Sequence, residues 1–139
     1  MKRFARTAGL VFTVLFLVAL GTFVAGEQTE VAVLRTVDDV GTPHDTKLWI
    51  VDHGGATWIR VGRPKRYWFQ RLQSHPAVQL IRNGGAPQPM IAKPDFSPQA
   101  RAEIDRAFSE KYGRVDWWYG LVLRHDPVPV RLDPNPAAS

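Results

Sequence analysis

The sequence contains no cysteine among its 139 residues. This absence excludes disulfide bonds, thiolate nucleophiles, zinc sites with cysteine ligands and iron–sulfur clusters. The sequence also lacks the G-x-S-x-G, Walker and G-x-G-x-x-G motifs, so nothing indicates a serine hydrolase, a P-loop enzyme or a dinucleotide-binding fold. The histidines His44, His53, His75 and His125 are scattered, without the close helical pairing of a zinc protease, and we expect no metal site.

Charge is missing from residues 7–26, and three basic residues stand before them. Twenty residues of helix reach roughly 30 Å, the thickness of a bilayer's hydrocarbon core. Residues 1–26 are therefore predicted to be a single-pass membrane anchor, with the domain on the extracytoplasmic side. The alternative is a cleaved signal peptide with Leu10–Leu20 as its apolar centre, which would leave a secreted or periplasmic domain.

The basic balance of the chain gives little support for nucleic-acid binding. The net charge is +5, but without Lys2, Arg3 and Arg6 the chain has 15 basic against 13 acidic residues. The pI of about 10.0 is thus partly an effect of the N-terminal flank. We expect no nucleic-acid partner.

Residues 27–139 are long enough for one domain and contain no internal repeat. Two pairs of β-rich runs are joined by glycine turns, at residues 52–55 and 83–85, which is typical of hairpins. Pro87 and Pro89 remove two backbone donors, so the fifth strand is predicted to be an edge strand or to begin only after Pro89, and Pro129 predicts an edge position for the sixth strand. Residues 37–46 are predicted to be a loop and residues 133–139 a frayed tail. The predicted strands are Glu30–Thr36, Lys47–Val51, Ala56–Val61, Ala77–Arg82, Gln88–Lys93 and Val128–Leu132.

Helical spacing of apolar residues predicts a short helix over Arg66–Ser74 and a longer one over Pro98–Tyr112. Ser97 can cap the longer helix and Gly113 can end it. Val115–Val122 is either a helix or a strand. The fold class is therefore α+β and mainly β: a small six-stranded antiparallel barrel with one or two packed helices.

A cluster of five cations within twelve residues contains no acid, so an anionic ligand would relieve its repulsion. Alternatively, these cations form a solvated basic surface that binds no ligand. Gly62 lets a backbone approach a phosphate closely, and Tyr67 and Trp68 add an aromatic surface. The side chains of Trp117 and Trp118 diverge, so one of them is predicted to leave the core and meet a ligand, a subunit or lipid. The cluster consists of Arg60, Arg63, Lys65, Arg66 and Arg71.

Residues 68–78 read WFQRLQSHPAV and resemble the W-y-x-x-L-x-x-n-P-x-V element of the deazaflavin-dependent nitroreductases. That family belongs to the split-barrel flavin reductase superfamily, with the pyridoxamine phosphate oxidases. The preceding hairpin, residues 47–62, and the later segments 111–113 and 128–132 are also similar in kind and order to elements of that family. The likeness covers about residues 30–133.

The resemblance implies a six-stranded split barrel, usually a homodimer, with FMN or the deazaflavin coenzyme F-420 in a groove near the subunit interface. In such families a strand end and the following loop hold the cofactor phosphate. This chain lacks the glycine-rich stretch and the histidine-proline of the nitroreductase pattern, so the identity of the cofactor stays open. The matching positions are Arg60, Arg63, Lys65, Arg66 and Trp68, beside Gly62.

These observations lead to the hypothesis of a membrane-tethered oxidoreductase. It would transfer hydride or electrons between a bound FMN or deazaflavin and a small quinone-like or nitroaromatic acceptor, with no general acid identified. Tyr112, Trp117 and Trp118 are predicted to form the apolar wall of the substrate pocket. The alternative is a noncatalytic split-barrel module that binds haem, a lipid-like ligand or a partner protein.

Overall fold

A computed structural model of the chain describes residues 9–20, 30–123 and 126–138. Six strands and four helices follow one another in the described part, with a short 3-10 turn at the end. Helix α1 covers residues 9–20. The other elements are β1 Val31–Val37, β2 Pro43–His53, β3 Ala56–Val61, α2 Tyr67–Ser74, β4 Ala77–Ile81, β5 Gln88–Pro94, α3 Pro98–Tyr112, α4 Arg114–Leu123, β6 Val128–Pro134 and the 3-10 turn Pro136–Ala138.

The six strands form a closed antiparallel barrel in the order β1-β2-β3-β6-β5-β4. The two hairpins supply the β2–β3 and β4–β5 pairings. Closure comes from β1 with β4 and from β3 with β6, which lie far apart in the chain. The predicted six-stranded antiparallel barrel is confirmed.

Alternation along β3 separates the inside of the barrel from its outer face. Ile59 and Val61 point inward and are fully buried, whereas Trp58 and Arg60 lie on the outer face, as the period of two predicts. Phe69 and Leu72 of α2 also join the inner core. The inner core comprises Ala32, Leu34, Ile50, Ile59, Val61, Phe69, Leu72, Val78, Leu80, Met90, Ala92, Val128, Val130 and Leu132.

Both predicted hairpin turns depend on residues with positive φ. Gly54 and Gly55 have φ of 59° and 76°, and Asn83 and Gly84 have φ of 51° and 66°. Two consecutive left-handed residues are the signature of a type I′ turn, whose twist matches that of the flanking strands. The turn at Gly54 and Gly55 therefore sets the register of β2 on β3, where His53 pairs with Ala56.

The predicted edge positions of the proline-containing strands are wrong, because the closed barrel has no edge there: β5 and β6 each pair on both sides. Each proline instead lies just beyond one of its strand's two ladders. Pro89 pairs with β4 but precedes the ladder with β6, which starts at Met90. Pro129 pairs with β3 but precedes the ladder with β5, which starts on β6 at Val130. The barrel therefore accommodates both residues without two-sided pairing.

Two segments predicted to be irregular are in fact partly strand. β2 begins at Pro43, so the connection after β1 is shorter than the predicted loop. Pairing with β1 extends the strand, and Arg35 and Asp45 form an ion pair across it. β6 continues to Pro134 because its end pairs with β5. Tertiary pairing overrides the local turn chemistry at both places.

Helix α3 has the predicted bounds and covers the outer face of β2 and β3. The hydroxyl of Ser97 accepts a hydrogen bond from the backbone N–H of Ala100, and Gly113 ends the helix with φ of 53°. Its apolar stripe forms a second core with the strands below. The segment that the sequence left open is a helix, α4. The second core comprises Val51, Ile104, Ala107, Phe108 and Tyr112, with Trp49 and Trp58 packed against it.

The predicted anchor lies only partly within the described residues. Its described part is α1, whose side chains are exposed. Residues 1–8 and 21–26 of this prediction lie outside the described ranges. Among the described residues, no helix combines the length and the apolar character needed to cross a membrane.

Candidate functional site

A cavity of about 370 Å³ lies where β2 begins, β3 ends and the chain turns into α2. Residues 62–66 form the loop between β3 and α2, and α3 contributes one ring to the wall. The volume falls within the usual range for small-molecule and cofactor sites. The lining residues are Thr46, Lys47, Leu48, Trp49, Arg60, Gly62, Arg63, Arg66, Trp68 and Phe108.

Five of the six residues predicted to bind a cofactor line this one cavity. They are Arg60, Gly62, Arg63, Arg66 and Trp68. Lys65 is exposed and is not part of the lining. The structure therefore brings three of the five clustered cations, Arg60, Arg63 and Arg66, to one cavity, whereas Lys65 and Arg71 lie outside its lining.

The loop cations stand without acidic partners. Arg63 and Arg66 are exposed and form no ion pair with any described residue, and the same holds for Lys47 on β2. The backbone N–H of Arg66 donates to the carbonyl of Arg63 at 3.1 Å, which closes a tight turn and holds the two side chains on the same loop. The positive charge at this mouth is therefore available to an anion.

Helix α2 begins at this mouth and adds to its positive potential. Arg66 is the residue before its first turn, no side chain caps the helix, and no acidic residue lies in the first turn. The free backbone N–H groups and the helix dipole favour an anion at such an end.

Arg60 differs from its neighbours, because carboxylates from distant parts of the chain bind it. Its side chain is 5% exposed and its guanidinium Nη1 donates to Asp105 of α3 at 2.7 Å. The other Nη donates to Asp116 of α4, whose side chain is also 5% exposed. Both acids follow much later in the sequence, at separations of 45 and 56 residues, so no local pattern reveals them.

Packing and hydrogen bonds hold this ion triad in place. The Arg60 guanidinium lies over the ring of Phe108 at 4.2 Å from its centroid. The hydroxyl of Ser109 donates to the second oxygen of Asp116 at 3.1 Å. Arg60 thus supports the wall of the cavity from below and already has its charge balanced. Its predicted role in binding cofactor remains a prediction.

Two indoles supply the aromatic part of the lining. Trp68 on α2 lies edge-on to the buried ring of Phe69, with centroids 6.1 Å apart. Trp49 on β2 stacks on Tyr112, with centroids 4.9 Å apart. Rings fixed in this way give a cavity a rigid apolar surface that suits a flat ligand.

The three residues predicted to form a substrate wall lie outside this lining. Tyr112 is buried in the second core, where its hydroxyl donates to the carbonyl of Ile50 at 2.6 Å. Burial raises the pKa of its phenol. Trp117 is exposed on α4 and Trp118 is half-buried there. Tyr112 reaches the cavity only through Trp49, on which it stacks.

Sequence reasoning missed half of the lining. Thr46 was predicted to end a loop and Lys47 to start a strand, and Leu48, Trp49 and Phe108 were assigned no role beyond packing. The alternation of β2 is the one local signal that could have placed Lys47 and Trp49 on a common face.

The described histidines take part in other contacts. His44 pairs with Asp38, and His75 pairs with Asp39, each at 2.9 Å. Within the described ranges, no group of three histidine, aspartate or glutamate side chains has the arrangement of a metal site.

Comparison with solved structures identifies the kind of fold. A putative pyridoxamine 5'-phosphate oxidase from Listeria innocua matches with a TM-score of 0.58 and 18% identity, over 81% of this chain and 90% of that one. HutZ, the heme storage protein from Vibrio cholerae, gives 0.61 and 16%, over 80% and 85%. An F-420-H2-dependent reductase, FDR-A, gives 0.55 and 17%, over 73% and 93%. At these identities the likeness shows the fold alone, which is the split barrel of the pyridoxamine phosphate oxidase kind.

Comparison with family models identifies the family. The model described as "Uncharacterized protein conserved in bacteria (DUF2255)" matches residues 21–126, which is most of the chain, so the chain belongs to that family. No curated protein matches the sequence.

Proposed function

We propose that the cavity binds the phosphate-bearing end of an FMN- or F-420-type cofactor and that the protein is an oxidoreductase. Its acceptor would be a small quinone-like or nitroaromatic molecule. One observation carries the proposal: Arg63 and Arg66 have no acidic partner among the described residues and border a cavity with indole walls. The likeness to a flavin-type and a deazaflavin-type protein supports the same assignment.

The residues present fit such a cofactor in charge and shape. The guanidinium groups of Arg63 and Arg66 can each form paired hydrogen bonds with phosphate oxygens, and Lys47 adds a point charge from β2. Trp49 and Trp68 supply faces against which a flat ring system can pack. Three cations are enough to balance one phosphate group.

When bound, a flavin-type cofactor supplies the hydride or electron transfer. The protein's own part is to hold the phosphate, to orient the ring by contact with the indoles, and to exclude water from one side through Leu48 and Phe108. Arg60 contributes by keeping Phe108 in place.

To test the proposal, the purified full-length chain is titrated with FMN and, separately, with F-420. The fluorescence of each cofactor measures its binding. Arg63→Ala and Arg66→Ala should each weaken binding by roughly tenfold or more, since each removes charge-assisted hydrogen bonds. Arg106→Ala is the matched control, because Arg106 is an exposed arginine of α3 outside the lining. Unchanged affinity in both loop variants would remove the assignment.

A second candidate is a noncatalytic module that holds haem in the same cavity, and the likeness to a heme storage protein favours it. Arg63 and Arg66 would then pair with the haem propionates. None of the lining residues is a histidine, so the axial ligand would have to come from elsewhere. An intense Soret band on titration with haemin, without binding of FMN or F-420, would replace the first proposal by this one.

We also propose that residues 1–26 attach the protein to a membrane, with the domain on the extracytoplasmic side, and that the protein is a homodimer. The uncharged stretch of residues 7–26 supports the attachment, and the family resemblance supports the dimer. Intact mass and membrane fractionation of the expressed protein distinguish a retained anchor from a cleaved signal. Light scattering during gel filtration measures the number of subunits.

A further inference from the structure

Helix α4 carries an exposed face of unusual composition. Arg114, Trp117 and Leu121 are spaced at i, i+3 and i+7, so they form one stripe. The side chains of Trp117 and Leu121 are 66% and 68% exposed. The helix has a single acid, Asp116, which points the other way and binds Arg60. The outward stripe therefore combines an indole, an isobutyl group and a cation, with no acid.

The start of the domain lies beside this helix. The carboxylate of Glu30 accepts a hydrogen bond from Lys111, and its carbonyl accepts one from the hydroxyl of Tyr112 at 3.3 Å. Helix α4 begins at Arg114, two residues after Tyr112. The chain that arrives from the N-terminal segment thus enters the domain next to the first turn of α4.

The connection between the uncharged segment and this entry point is short. Only three residues separate Gly26 from Glu30. Fully extended, these four steps span at most about 14 Å. An N-terminal segment held in a membrane would therefore keep the α4 side of the domain at the lipid surface.

We infer that the exposed stripe of α4 lies against that lipid surface. Tryptophan, leucine and arginine are the residue types that favour the boundary between headgroups and acyl chains, and the missing acid avoids repulsion from anionic lipids. The inference rests on the membrane attachment proposed above and is independent of any cofactor. Through Asp116 and Arg60, it places the wall of the cavity one helix away from the membrane.

The absence of cysteine allows a clean test with a single fluorescent label. Leu121→Cys carries an environment-sensitive fluorophore, and Ala102→Cys, on the exposed face of α3, is the matched control. Each full-length variant is reconstituted into phosphatidylcholine–phosphatidylglycerol vesicles, with and without lipids that carry a quencher near the headgroup. The label at 121 should shift to the blue and be quenched at least about threefold more than the label at 102, since interfacial groups sit roughly 5–10 Å into the boundary.

Flotation of the vesicles reports membrane attachment separately. Flotation with equal quenching at both positions overturns the α4 contact and leaves the attachment intact. A blue shift at 121 without quenching means that protein covers the stripe, either a second copy or the chain's own apolar segment, and also overturns it. Failure to float contradicts both the attachment and the contact.

A second variant guards against disturbance by the label. Trp117→Phe removes one of the five tryptophans and keeps an aromatic ring on the stripe. In vesicles that contain brominated lipid, the fraction of tryptophan emission quenched in the parent chain should fall in this variant. An unchanged fraction would show that Trp117 does not meet lipid.

Discussion

Arg60 and the loop arginines Arg63 and Arg66 come from one short stretch of sequence and border one cavity, yet their environments are opposite. Arg60 is buried, bound to two carboxylates and stacked on a ring. Arg63 and Arg66 are exposed and have no acidic partner among the described residues. The same residue type therefore stabilises the fold at one position and leaves its charge available to a ligand at the others.

The direction of the side chain explains the difference. Arg60 lies on the outer face of β3, so α3 and α4 cover it and bring two acids to it. Arg63 and Arg66 lie on a loop that no described element covers with an acid. Charge clustered along a sequence is thus a poor guide to charge that is free in the fold.

The largest expected effect comes from Arg60→Ala, which removes the cation shared by Asp105 and Asp116. Breaking a buried ion pair from one side costs roughly 3–5 kcal/mol, because the carboxylate of Asp116 stays buried and loses the cation that balances its charge. The midpoint of urea unfolding measures the loss. Arg106→Ala, an exposed control on α3, should change stability by no more than about 0.5 kcal/mol. A loss from Arg60→Ala as small as that of the control would end the contrast drawn above.

Replacing Asp116 should lower the free energy of unfolding more than replacing Asp105. Asp116→Asn affects a side chain that is 5% exposed and that also accepts a hydrogen bond from Ser109, so we expect a loss of roughly 1.5–3 kcal/mol. Asp105→Asn affects a side chain that is 38% exposed, where solvent screens the pair, and should cost less than about 1 kcal/mol. Equal losses in urea unfolding would argue that burial does not set the strength of these contacts.

The dependence of stability on pH tests the ion pairs of Glu30, another carboxylate bound by basic residues. The hydrogen bond from Lys111, with that from Arg82, holds the pKa of Glu30 below its ordinary value of 4.5. A carboxyl whose pKa is lowered in the folded state contributes stability above its unfolded pKa and loses that contribution as pH falls through the folded pKa. The unfolding midpoint should therefore be flat near neutral pH and fall in acid. Glu30→Gln should lower stability near neutral pH and flatten part of the acid slope; an identical slope would contradict the assignment.

The smallest effect on stability should come from the loop. Arg63→Ala and Arg66→Ala remove charges that repel one another and have no acidic partner, so the free energy of unfolding should change by no more than about 0.5 kcal/mol, with a gain as the expected sign. Low salt should enlarge the gain, because screening is weaker there. Thermal unfolding at two salt concentrations measures it. A loss above about 1 kcal/mol would indicate a structural role that the contacts do not show.

Much of the fold was predictable because its signals are local. The hairpin turns need positive φ, and their glycines and Asn83 supply it. Ser97 and Gly113 bound α3 through a cap and a left-handed residue. Six residues between Arg60 and Trp68 were predicted to bind one cofactor. All of them except Lys65 line one cavity.

The remainder depended on contacts between distant parts of the chain. The edge assignment failed at Pro89 and Pro129 because barrel closure gives both strands a second neighbour. Thr46, predicted to be in a loop, lies on β2 because that strand extends along β1 further than its own residues indicate. Tyr112 and Trp117 were predicted to form a substrate wall but lie outside the cavity lining. Their positions depend on how the helices pack, which a short sequence pattern does not show.

The sequence by itself determined the number and order of the strands, the hairpin turns, the ends of α3 and the faces of β3, since a period of two, positive φ and helix caps act within a few residues. Only the tertiary structure decided which arginine is neutralised. Ion pairing depends on distance in space and on burial, and Asp105 and Asp116 reach Arg60 only after α3 and α4 have packed on the closed barrel.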